Sequence, residues 1–108
     1  MSLELVLRAR HSLELDRLEE AQSLAEAVSD GASAPDALHI VGIVNFRLGR
    51  LDAAEKALRQ AIERDSRVAA YHNDLGNVLQ DRGKLNEALA CYRRALRLNP
   101  AFAEAWND

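Results

Sequence analysis

The feature that most constrains this chain is a spacing of 34 residues at which it repeats itself. Gly42 and Gly76 stand at that distance, and so do Val44 and Val78, Gly49 and Gly83, Leu51 and Leu85, Ala54 and Ala88, Arg59 and Arg93, and Ala61 and Ala95. Chemically similar pairs share the offset: Val41 with Leu75, Arg50 with Lys84, Asp52 with Asn86, Ile62 with Leu96. One offset held over a whole segment means one supersecondary unit used again. Units of this size bury their apolar faces only by stacking on a neighbour.

Each unit reads as two helices. Pro35 suits the first turn of a helix, where a missing N–H costs nothing. An apolar face follows at Leu38, Val41, Gly42 and Asn45, three or four residues apart. Gly49 then ends the helix, because glycine takes the left-handed C′ conformation without a Cβ clash. A second helix is expected from about Leu51 to Arg64, with Ala54, Ala57, Leu58, Ala61 and Ile62 on one side. The next unit repeats the plan with His72, Leu75, Gly76 and Leu79, then Gly83, then Leu85, Ala88, Leu89, Tyr92, Ala95 and Leu96. Pro100 prevents continuation. Gly42 and Gly76 are expected at helix crossings, where a side chain would hold the backbones apart.

The units run 35–68 and 69–102. Residues 1–34 form a divergent first unit: Arg17-Leu18-Glu19-Glu20-Ala21 matches Arg50-Leu51-Asp52-Ala53-Ala54 at an offset of 33. Its turn glycine is missing, and Leu15-Asp16 occupies the place. Residues 103–108 begin a further unit, since Ala103-Glu104-Ala105-Trp106-Asn107-Asp108 aligns with Ala69-Ala70-Tyr71-His72-Asn73-Asp74.

The remaining composition removes function classes. A chain of 108 residues suffices for one domain. The net charge is −3 with signs mixed and no basic block, so no nucleic-acid partner is expected. No apolar run approaches bilayer length, so no membrane association is expected. The start, Met1-Ser2-Leu3-Glu4-Leu5, does not read as a signal peptide. Cys91 is the only cysteine, which excludes an intrachain disulfide, and a cytoplasmic location is the default. Cys91 reads as a small packing residue. His11, His39 and His72 have no companions at metal-ligand spacing. The glycines belong to the repeat, not to a phosphate loop, and the carboxylates belong to solvated helix faces. No catalytic residue, metal or cofactor is expected.

These residues resemble the tetratricopeptide repeat family, whose motif is W-x2-L-G-x2-Y, then G, A-x3-F-x2-A and P. His72, Leu75, Gly76, Leu79, Gly83, Ala88, Tyr92, Ala95 and Pro100 occupy the motif in one unit. Leu38, Val41, Gly42, Asn45, Gly49, Ala54, Leu58, Ala61 and Ser66 occupy it in the other, and Trp106 stands at the opening tryptophan. The resemblance implies an all-α, right-handed superhelix of antiparallel helix pairs. It has about three units plus the start of another. It also implies a non-catalytic protein-interaction module that holds a peptide or partner helix in a groove lined by first helices. The alternative it raises is the N-terminal region of a glycosyltransferase or sulfotransferase, since such stretches precede those domains in bacterial proteins.

By carry-over, the groove presents Asp36, His39, Ile40, Ile43, Phe46 and Arg47 from one unit. From the next it presents Asn73, Asp74, Asn77, Gln80 and Asp81, with Asn107 continuing the row. The family's carboxylate clamp uses Lys, Arg and Asn, yet Ile43 and Asp74 stand at its places. Its asparagine ladder would fall on Ile40, Asp74 and Asp108. What results is a mixed groove: an apolar patch from Ile40, Ile43 and Phe46 beside a polar, acidic row from Asp74, Asn77, Gln80 and Asp81. That chemistry suits a segment with an apolar anchor and a basic neighbour. Leu89, Tyr92, Leu96 and Trp106 form a further apolar face, through which copies of the chain could associate.

Overall fold

The computed structural model describes residues 2–28 and 33–101. Six helices follow one another: α1 (Ser2–Glu14), α2 (Leu18–Glu26), α3 (Ala34–Arg47), α4 (Leu51–Arg64), α5 (Ala69–Asp81) and α6 (Leu85–Leu98). No strand occurs among the described residues. They pack as hairpins α1–α2, α3–α4 and α5–α6, and each following first helix lies against the hairpin before it. The helix expected from about Leu51 to Arg64 is α4.

The three hairpin turns are built alike. Gly49 N–H donates to Phe46 and Arg50 N–H to Asn45; Gly83 donates to Gln80 and Lys84 to Leu79. This is the Schellman closure, which satisfies the last carbonyls of the helix and requires a left-handed residue. Gly49 and Gly83 supply it at φ 77° and 79°. In the first hairpin Asp16 does the same work at φ 58°, with Asp16 N–H bonded to Leu13 and Arg17 N–H to Ser12. Aspartate is among the few residues that tolerate this region.

The small residues act as spacers at the crossings. A Cβ on Gly42 would lie 2.6 Å from Leu58 Cγ, and one on Gly76 would lie 2.6 Å from Tyr92 Cε1. Two apolar clusters result. One joins the first hairpin to α3 through Val6, Leu13, Ala21, Ala25, Ile40 and Val44. The other joins α4 to the third hairpin through Ala54, Leu58, Leu75, Val78, Leu79 and Ala88. Each fully buried aliphatic side chain contributes about 1.5–3 kcal/mol of transfer free energy.

First helices touch each other in succession, α1 with α3 and α3 with α5, whereas no two second helices do. The stack therefore curves with α1, α3 and α5 on its inner side.

Candidate binding groove

The inner face is stitched together by polar contacts between successive first helices. Arg10 of α1 reaches Asp36 of α3 at 3.3 Å. Tyr71 of α5 donates its hydroxyl to the same carboxylate at 2.5 Å. One turn further along α3, His39 Nε2 donates to Asp74 of α5, also at 2.5 Å. The rings of His39 and Tyr71 lie 4.8 Å apart at 49°. His39 is buried, and its Nδ1 has no partner among the described residues. Burial, aided by the Asp36 carboxylate, pushes the Tyr71 phenol well above its ordinary pKa, so it remains a donor at any physiological pH.

At the other end of α3, Arg47 ties the groove wall to the first turn. It donates to the Leu13 carbonyl at 3.2 Å and lies 3.7 Å from Asp16. Between this arginine and α5 lies a crevice of about 270 Å³. Gly42, Ile43, Phe46, Leu58 and Val78 give it apolar walls, and Arg47, Asp74 and Asn77 line it with polar groups.

Beyond α5 lies a more open cleft of about 580 Å³, lined by Asn73, Asn77, Gln80, Leu85, Ala88, Leu89 and Tyr92. The Tyr92 hydroxyl sits 2.7 Å from Asn77 Oδ1 and 2.8 Å from Gln80 Oε1, so two amides share one phenolic proton. Burial raises the Tyr92 pKa, and the charges of Asp81 and Asp74 raise it further.

Of the residues read from the sequence as groove-lining, Ile43, Phe46, Arg47, Asp74 and Asn77 meet in the α3–α5 crevice. Asn73, Asn77 and Gln80 line the cleft beyond α5, and Asp81 is exposed at the end of that helix. Ile40 is corrected: it is 0 % exposed and belongs to the core between α3 and the first hairpin. The first hairpin closes over that side of α3, so the apolar patch reduces to Ile43 and Phe46. His39 is also withdrawn from the accessible surface, since it is 5 % exposed and engaged with Asp74. Asp36 is half-buried between Arg10 and Tyr71, positioning the helices rather than facing a ligand. Asn107 and Trp106 lie outside the described residues. Leu89 is exposed, and Tyr92 and Leu96 are half-buried.

Arg10 and Tyr71 went unread in the sequence. The Asp36–Tyr71 and His39–Asp74 contacts each join residues 35 apart, one more than the repeat. That displacement is the signal that could have found Tyr71.

The outer surface carries charges of a structural kind. Glu55 of α4 accepts from Arg59 at 2.9 Å and Arg82 at 2.8 Å, with Lys84 at 3.7 Å. Burial alone would raise the Glu55 pKa, but the Arg59 bond and the charges of Arg59, Lys84 and Arg82 outweigh it and lower it. Cys91 is half-buried against the second core, and burial pushes its thiol pKa up. Among the described residues, no three His, Cys, Asp or Glu side chains converge as a metal site. No helix there is long and apolar enough to cross a membrane.

Comparison with known proteins gives the geometry a lineage. A family model described as "Tetratricopeptide repeat" matches residues 6–70, and one described as "TPR repeat" matches residues 76–108. The chain is 36 % identical to human tetratricopeptide repeat protein 7A over 95 residues, covering 87 % of this chain and 11 % of that protein. It is 33 % identical to the chloroplastic tetratricopeptide repeat domain-containing protein PYG7 of Arabidopsis thaliana, covering 82 % of this chain and 31 % of that one. It thus spans between a tenth and a third of these relatives. Among solved structures, MamA superposes with a TM-score of 0.85 at 24 % identity, over 97 % of this chain and 62 % of that one. A mutant of the Thermobaculum terrenum O-GlcNAc transferase superposes with a TM-score of 0.86 at 27 % identity, over 92 % of this chain and 19 % of that one. The helix pairs, the turn residues and the matches agree: the chain is an all-α solenoid and belongs to the tetratricopeptide repeat family.

Proposed function

We propose that the chain is a non-catalytic protein-interaction module that holds a peptide or a partner helix against its first helices. The observation that carries this reading is the α3–α5 crevice. It joins apolar walls from Ile43 and Phe46 to the amide of Asn77, with Asp74 and Arg47 also in its lining but already engaged by His39 and by Leu13 and Asp16. A concave site of that make-up orients a ligand by a few polar contacts and holds it by burial. The couplings from Arg10 to Asp36 and Tyr71 fix the spacing of the walls beforehand, which reduces the ordering cost of binding.

The test is a selection of displayed peptides on the purified chain. Peptides that bind the groove lose affinity on Asn77→Arg and keep it on Gln60→Arg, a change at an exposed position of α4. Peptides indifferent to Asn77→Arg would remove the groove from the account.

A second reading is favoured by the likeness to the O-GlcNAc transferase structure. In it, this chain is the repeat region of a larger transferase and presents protein substrates to a catalytic domain. Sugar transfer by the product of the whole gene, reduced by Asn77→Arg, is its expected signature. Unaltered transfer by that variant counts against it.

A further inference from the structure

Two units of one design stand side by side here, and their groove walls differ in a systematic way. Gly42, Ile43, Phe46, Arg47 and Leu58 of the α3–α4 unit correspond, at the 34-residue offset, to Gly76, Asn77, Gln80, Asp81 and Tyr92 of the α5–α6 unit. The glycine is kept, while each other place changes character. Aliphatic Ile43 becomes the amide Asn77. Aromatic Phe46 becomes the amide Gln80. Leu58 becomes Tyr92, whose hydroxyl engages both amides. The cation Arg47 becomes the anion Asp81.

The charges at these places are not equally available. Arg47 is occupied by the Leu13 carbonyl and Asp16. Asp74 is occupied by His39. Asp81 is exposed and has no cation within ion-pair distance among the described residues. It stands at the end of α5, four residues after Asn77 and so on the same side of the helix, and its charge is felt at the Tyr92 phenol. One register of the groove is therefore apolar with its charge satisfied, and the next is polar with its negative charge open.

Neighbouring packed helices lie about 8–10 Å apart. An extended chain rises about 3.3 Å per residue. A segment crossing from the α3 register to the α5 register thus advances about three residues. We propose that the groove reads an extended protein segment bearing an apolar side chain for the Ile43–Phe46 crevice and, about three residues away, a lysine or arginine for Asp81. The backbone between them passes Asn77 and Gln80, whose amides can both give and accept hydrogen bonds. This specificity rests on the peptide-binding reading above.

The test uses a phage-displayed library of random dodecamers on the immobilised full chain. The two variants borrow residues that the fold already accepts at the sister place: Ile43→Asn and Asp81→Arg. Circular dichroism and thermal melting report that each remains folded. The expected result on the parent chain is enrichment of an apolar residue with Lys or Arg two to four positions away. Asp81→Arg moves the charged preference to Asp or Glu and weakens a selected lysine peptide by about two- to fivefold, the range of an exposed ion pair. Ile43→Asn erases the apolar preference, weakens the same peptide by about tenfold and leaves the basic preference in place. Selected peptides that lose affinity on Asn77→Arg but show no such spacing, or ignore Asp81→Arg, overturn this inference and leave the peptide-binding reading standing. A selection yielding no peptide sensitive to any of the three groove changes overturns both.

Discussion

The two joints of the stack reach the same geometry by different means. Where the first hairpin meets α3, the contact is a large aliphatic cluster, with Ile40 and Val44 fully buried among Val6, Leu13, Ala21 and Ala25. Its polar links are Arg10 to Asp36, and Arg47 to the Leu13 carbonyl and Asp16. Where the second hairpin meets α5, the aliphatic cluster is flanked by directional bonds on both surfaces. Tyr71–Asp36 and His39–Asp74 lie within, and the Glu55–Arg82 pair lies without. Burial is tolerant of small slips, whereas paired donors and acceptors demand one register. The α3–α5 crevice lies at the second joint, where the register is held more strictly.

This contrast is open to direct attack. Ile40→Ala should give the largest effect, a loss of about 2–5 kcal/mol in denaturant unfolding. Hydrogen exchange should rise first in α1 and α2, with α5 and α6 still protected; a uniform rise would mean the joints do not act separately. Next comes a matched pair at one repeat position. Gly42→Ala drives a methyl into Leu58, which is 1 % exposed and has nowhere to go. Gly76→Ala meets the half-buried ring of Tyr92, which can swing toward the open cleft. We expect a cost of about 1–3 kcal/mol for the first. The second should cost less, about 1 kcal/mol, because alanine's helix preference offsets part of the strain while the moving ring gives up its bonds to Asn77 and Gln80. Equal melting shifts would show that the cleft does not relieve strain.

Smaller still is Tyr71→Phe, which removes one donor from Asp36 and should cost about 0.5–1.5 kcal/mol. A double-mutant cycle with Arg10→Ala reads whether the two contacts to that carboxylate cooperate. The least effect belongs to Glu55→Gln. The folded Glu55 pKa is lowered, so its contribution is present above the ordinary carboxylate pKa and lost as pH falls through the lowered value. The variant should flatten that part of the stability profile, and salt should flatten the parent's likewise.

Much of this was legible in the letters. Helix α4 and the two glycine turns follow from local rules that leave a residue type behind: a left-handed position, a crossing too close for a Cβ. Asp16 could be placed at its turn for the same reason. Ile40 belongs to the core and not to the groove because its exposure depends on how the divergent first hairpin closes over α3. That closure is a tertiary fact with no letter of its own. Asp74 stands in the groove row of the sequence because its partner, His39, lies in the preceding unit and out of step with the repeat.

That single-residue displacement also bears on inheritance. Asp36 looks forward to Tyr71, while Ala37, the counterpart of Tyr71, looks back toward the first hairpin. His39 looks forward to Asp74, while its neighbour Ile40, the counterpart of Asp74, looks back. Each of these two bonds thus starts from an α3 residue whose next neighbour packs the other way, toward the first hairpin. A unit deleted or exchanged whole takes its half of both bonds with it and breaks them, and a unit duplicated in tandem forms its new joint without them. What can be duplicated or grafted intact is the stretch from the middle of one unit to the middle of the next. By that measure the heritable part of this chain is its joint, and the repeat is only the distance between joints.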